Sequence, residues 1–171
     1  RLLKEELEVV VYDPHVQSTD VEKGIRLVDE TTALECETLF YAVPIRDLET
    51  VIQRHVAHFA KDNNPRLVID TLSVKLYPKH IFERLLPSHV KALLTHPMFG
   101  PDSVREHGLK DLPMIMHALT ASPDDYAYWK AFFSRRELRV IELTPDEHDH
   151  KAAWSQGIAH FIGRVLEEMA L

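Results

Sequence analysis

The stretch Val90-Lys91-Ala92-Leu93-Leu94-Thr95-His96-Pro97-Met98-Phe99-Gly100-Pro101 decides how this chain is read. Its first half is an apolar run of strand length, without the alternation of a half-exposed strand, so it reads as a strand buried on both faces. Its second half places a histidine at the strand's C-terminal end. Two prolines and a glycine follow, and they are expected to forbid any regular continuation. In open α/β sheets, ligands bind outside the C-terminal ends of the strands. A histidine held there by a stiff loop is a candidate acid or base near neutral pH. The alternative is a hydrogen-bonded histidine that only caps the sheet edge.

Working outward, further strands are expected over Leu7–Tyr12, Thr38–Val43, Leu67–Asp70, Pro113–Leu119 and Arg139–Leu143. Residues 1–6 read as the end of a helix already under way. A short helix is expected over 18–24, capped by Ser18 or Asp20. Arg46–Lys61 carries Leu48, Val51, Ile52, Val56 and Phe59 on one helical stripe, and Asp62-Asn63-Asn64-Pro65 breaks it. Lys79–Leu86 and Asp124–Arg135 complete the helices of this part, the latter with Tyr128, Trp129, Phe132 and Phe133 turned inward. Apolar strands that alternate with helices imply a mostly parallel sheet covered on both faces.

Thr144-Pro145-Asp146-Glu147 is a capping box, with Thr at N-cap, Pro at N1 and Glu at N3. The helix it opens is expected to run unbroken to Leu171, about 25 residues, long for a globular protein. Gly157 and Gly163 inside it each cost about 1 kcal/mol relative to alanine. Their presence suggests close approach of another backbone or a ligand. Two units follow: 1–143, and 144–171 as the start of a second, helical one.

Composition narrows the function classes. Twenty-seven acidic against 20 basic residues give a net charge of −7, which opposes nucleic-acid binding. No apolar run approaches the roughly 20 residues of a membrane span. The single cysteine, Cys36, fits a reducing compartment, the cytoplasm or, in a plant or alga, a plastid. Eleven histidines raise the question of a metal, but His148-Asp149-His150 lacks the i, i+4 spacing of helical ligands, and no metal site is expected. Gln156 and His160 do share a helix face at that spacing.

Asp13 ends the first strand. In a dinucleotide-binding βαβ unit, an acid there bonds the adenosine ribose roughly 20 residues after a glycine-rich turn. Only 12 residues precede it, so that turn and its strand would fall before Arg1. The plain alternative is an Asp-Pro turn. Ser73 follows the third strand and could bond a substrate hydroxyl or cofactor amide at the edge where His96 lies, or simply cap the next helix.

Taken together, DTLSVK at 70–75, THPMFGPDS at 95–103, EHDHKAAWSQ at 147–156 with His160 beyond, and YAVPI at 41–45 resemble the prephenate/arogenate dehydrogenase family of tyrosine biosynthesis. The resemblance spans nearly the whole chain. It implies a Rossmann-like mostly parallel sheet with helices on both faces, its first strand and Gly-rich loop missing, and a last helix leading into an all-α dimerisation domain. It also implies NAD(P)-dependent oxidative decarboxylation of prephenate or arogenate. His96 would take the proton of the ring hydroxyl, and Ser73 would hold that hydroxyl and the nicotinamide. Asp13, Val43, Pro44 and Ser73 would bind the cofactor, with Asp13 favouring NAD although NADP remains open. Gln156, His160 and His148 would line the pocket of this small-molecule substrate. The family also implies a homodimer and no nucleic-acid or membrane partner. Many relatives carry SHLPH where this chain has Gln156-Gly157-Ile158-Ala159-His160, which bears on substrate preference. The competing expectations are a non-catalytic or truncated relative that keeps the fold without a complete cofactor site, and a metal hydrolase.

Overall fold

The computed structural model describes residues 2–17 and 21–169, with the side chains of Asp62, Gln156, Ala159 and His160 left aside. The caps expected at Ser18 and Asp20 lie outside these residues.

Five strands build the main sheet: β3 (Thr38–Tyr41), β4 (Arg66–Asp70), β5 (Val90–Pro97), β6 (Pro113–His117) and β7 (Arg139–Glu142), adjacent in that order. All neighbours run parallel except β5 and β6. A separate parallel pair joins β1 (Val10–Val11) to β2 (Arg26–Leu27). The mostly parallel, doubly covered sheet is as expected, and the strand period explains why it holds. Val68, Ala92 and Leu94 enter one core cluster with Leu48, Ile52 and Phe59 of α2 (Leu48–Asp62) and Ile81 and Phe82 of α3 (Leu76–Leu85). Their neighbours Leu67, Ile69 and Leu93 face the opposite cluster. There they meet Trp129, Phe132 and Phe133 of α5 (Pro123–Arg135).

Several expectations need correction. The first strand is two residues, not six, because Leu3 to Leu7 closes a turn, with Leu7 N donating to Leu3 O over 3.1 Å. Val21–Gly24 is a bend and turn rather than helix, with Gly24 at φ +91°. The short helix α1 (Glu30–Leu34), capped by Asp29, was not expected. Nor was α4 (Pro101–His107): Pro101 opens it at the first turn, where a missing N–H costs nothing. Helix α3 begins at Leu76, ahead of Lys79. Tyr128 is 46% exposed, so the inward face of α5 is Trp129, Phe132 and Phe133, with Tyr126 half-buried against the same cluster. Asn63 does end α2 in the left-handed conformation, at φ 56°.

The Thr144 capping box forms with both reciprocal bonds. The helix behind it is not continuous. It divides into α6 (Pro145–Ala152), a π-helical turn (Ala153–Gly157) and α7 (Ile158–Glu168). A Cβ at Gly163 would meet nothing within 4 Å, and one at Gly157 only Ala152 O at 3.9 Å. The close packing expected there is not made by the described residues. Instead Trp154, Phe161, Ile162 and Met169 stand exposed.

Candidate active site

The C-terminal ends of β3, β4 and β5 lie side by side, since the three strands are parallel and in register. The segments that leave them, 42–44, 71–75 and 98–100, therefore share one edge. Val43 is half-buried there and Pro44 exposed, at the entry to a 3-10 turn (Ile45–Asp47). Ser73 is exposed and does not cap α3. That cap comes from far along the chain: Asp149 of α6 accepts from Lys75 N through Oδ1 at 2.6 Å and from Leu76 N through Oδ2 at 2.9 Å. Asp13 is exposed two residues past β1, and its Oδ1 accepts from His15 N at 2.8 Å. It thus makes the Asx turn of its Asp-Pro sequence.

His96 sits on β5 beside this edge, 5% exposed. Its Nδ1 lies 2.9 Å from Nε2 of His148, the rings edge to face. His148 is 2% exposed, and its Nδ1 meets Asp149 Oδ1 at 2.7 Å. Both nitrogens of His148 are therefore engaged behind His96. Gln156 and His160 lie on the π-turn and α7, with side chains outside the described set.

Burial lowers the His96 pKa most, and the neighbouring His148 and Lys75 add to it. Against the pull of Asp149, they bring it to about 4. Burial alone would raise the Asp149 carboxyl. The N–H of Leu76, the His148 ring and the N–H of Lys75 outweigh it and hold the group below its ordinary value.

A second buried group stands under the edge. The Lys75 ammonium contacts Asp70 Oδ2 and donates to Thr95 O at 2.5 Å. Asp70 also accepts from Thr95 N and Leu72 N, each at 3.1 Å. Burial drives both groups toward neutrality, raising Asp70 to about 6 and lowering Lys75, against their mutual attraction. Sequence reading missed this pair and the role of Asp149. The one signal for it was a charged residue, Asp70, closing an otherwise apolar strand.

A mostly parallel sheet with helices on both faces and loops gathered at the C-terminal ends of its parallel strands is the dinucleotide-binding class of α/β domain. The chain belongs to the prephenate dehydrogenase family: the family model described as "Prephenate dehydrogenase, nucleotide-binding domain" matches residues 1–142. Among curated relatives, Arogenate dehydrogenase 1, chloroplastic, of Arabidopsis thaliana is 33% identical over 140 residues, 79% of this chain and 21% of the relative. The Probable arogenate/prephenate dehydrogenase of Methanocaldococcus jannaschii is 27% identical over 90% of this chain and 37% of the relative. The chain thus spans well under half the length of these relatives. Among solved structures, prephenate dehydrogenase from A. aeolicus in complex with hydroxyphenyl propionate and NAD+ superposes with a TM-score of 0.73 at 15% identity. That match covers 95% of this chain and 59% of the other.

Proposed function

We propose that this chain is the nucleotide-binding part, residues 1–143, and the first helices, 144–171, of an enzyme of tyrosine biosynthesis. In this reading it oxidises and decarboxylates prephenate or arogenate with NAD. The observation that carries the reading is His96: a nearly buried imidazole at the C-terminal sheet edge, in a chain of this family. The exposed Asp13 carboxylate suits ribose hydroxyls, and the edge residues Val43, Pro44 and Ser73 suit the nicotinamide end. The pyrophosphate calls for a glycine-rich turn, and the five glycines of this sequence, at 24, 100, 108, 157 and 163, do not form one. NAD, when bound, supplies the hydride acceptor. His96 takes the proton of the ring hydroxyl as that carbon is oxidised and carboxylate leaves as carbon dioxide. Ser73 hydrogen-bonds the same hydroxyl and fixes it against the nicotinamide. Gln156 and His160 line the substrate pocket. An Asp at position 13 would repel a 2′-phosphate, which supports NAD over NADP. The exposed apolar residues of α7 support burial in a homodimer, and the chloroplastic relatives fit a plastid or other reducing compartment. Among the described residues no helix is long and apolar enough to cross a membrane.

The test is direct. The protein expressed from its natural reading frame is assayed for nicotinamide reduction with prephenate and with arogenate, each with NAD and NADP. Turnover of at least one acid, faster with NAD, is expected. No turnover of either acid with either cofactor would refute the reading.

A further inference from the structure

Behind His96 the chain builds a row that the proposed chemistry does not require: Asp149, His148 and His96, linked at 2.7 and 2.9 Å. The hydrogen positions along it follow from the acceptors. An ionised carboxylate accepts only. Asp149 Oδ1 already accepts from Lys75 N, so the proton between it and the His148 ring belongs to His148 Nδ1. A neutral His148 then offers a lone pair at Nε2, and His96 must donate from its own Nδ1. That leaves His96 Nε2 without a proton, the state a base needs.

We propose that His148 and Asp149 are positioning residues that form a proton relay behind His96, fixing its reactive tautomer and receiving the positive charge it picks up. The substrate hydroxyl proton bonds to His96 Nε2. The Nδ1–H bond of His96 breaks as that proton bonds to His148 Nε2. One proton has moved in at one end of the ring pair, His96 is neutral again in its other tautomer, and the charge rests on His148 beside Asp149. The charged groups facing the pair are Asp149 on α6 itself and Lys75 at the start of α3, whose ammonium is tied to Asp70 of β4. His96 by itself is a poor resting place for charge, since burial and its neighbours hold it near 4. His148 is the ring that lies against a carboxylate, with Asp149 Oδ1 2.7 Å from its Nδ1. Asp149 also caps α3, so it sets the loop that carries Ser73 and the base from a single carboxylate.

The kinetic arm rests on the dehydrogenase reading, and the spectroscopic arm does not. Nitrogen-15 spectra of the histidine rings at neutral pH should show His96 protonated at Nδ1 and bare at Nε2. A His96 protonated at Nε2 would overturn the relay whether or not the protein turns over substrate. In His148→Gln, the amide oxygen can still accept from His96 Nδ1 but cannot take its proton. We expect kcat to fall about 10- to 100-fold with KM little changed, a share of what acid–base catalysis provides. An unchanged kcat in a folded variant would overturn the relay. Absence of turnover in the unsubstituted protein would instead count against the dehydrogenase reading, and the ring spectra would still decide this one.

Discussion

Replacing Lys75 with Met should destabilise the domain more than any surface change, because it strands a charge. Lys75 is 1% exposed and Asp70 0% exposed. Methionine fills much of the space of the aliphatic stem but withdraws the ammonium from Asp70 Oδ2 and the donor from Thr95 O. Asp70 keeps Thr95 N and Leu72 N, which is not enough to ionise in the dark of the sheet. Removing one partner of a buried pair costs about 3–5 kcal/mol. For a domain of this size that is a fall in Tm of about 10 °C. The deficit should depend on pH. Burial already raises Asp70 to about 6 with Lys75 in place, and without it the carboxyl rises further. A folded-state pKa above the unfolded value stabilises at low pH and loses that stabilisation as pH rises through it. The Lys75→Met penalty is therefore smaller at pH 5 than at pH 8. Adding Asp70→Asn removes the stranded charge and should recover part of the loss. Urea unfolding followed by circular dichroism, at both pH values and on all three variants, measures this. A penalty under about 1 kcal/mol, or one that does not change with pH, would refute the argument.

Three further outcomes are expected. Thr144→Ala removes the N-cap of α6 and should cost about 1 kcal/mol in the same unfolding assay, with α6 fraying at its start. Phe132→Ala opens a cavity between Trp129 and Phe133, whose rings lie 5.1 and 5.6 Å away by centroid, and removes the face under Arg136; about 3–5 kcal/mol should be lost. Asp13→Ala should raise KM for NAD and shift the NAD-to-NADP ratio of kcat/KM toward NADP, while leaving Tm nearly unchanged, since the side chain is exposed.

The sheet was legible because β4 and β5 are buried on both faces over Leu67-Val68-Ile69 and Ala92-Leu93-Leu94, apolar runs that turn residues punctuate. The α2 stripe and the Thr144 box were legible for the same reason: each is a local pattern with a local cause. What escaped was set by partners far away. The two residues of β2 form a strand only because β1 lies beside them. Helix α4 was hidden because Gly100-Pro101 reads equally as a break and as a helix start. The interrupted last helix carries no breaker stronger than Gly157.

The site divided in the same way. His96 was legible from a strand end followed by a stiff loop, and Ser73 from its place after β4. Asp149 was not, since its bonds to Lys75 and Leu76 cross more than 70 positions of chain. His148 was expected to line the substrate pocket. Its place between His96 and Asp149 could not be read from helical spacing, because the partner ring comes from a strand 52 residues earlier.

The central claim is that His96 is the base of this family's chemistry at the sheet edge. The most direct measurement compares His96→Asn with the unsubstituted protein, both expressed from the natural reading frame, for kcat with prephenate and arogenate and for NAD affinity by titration. Asparagine keeps a hydrogen-bonding side chain but cannot take the proton. The account predicts a loss in kcat of about 100-fold or more, with NAD affinity unchanged. Turnover by His96→Asn at the unsubstituted rate would contradict it.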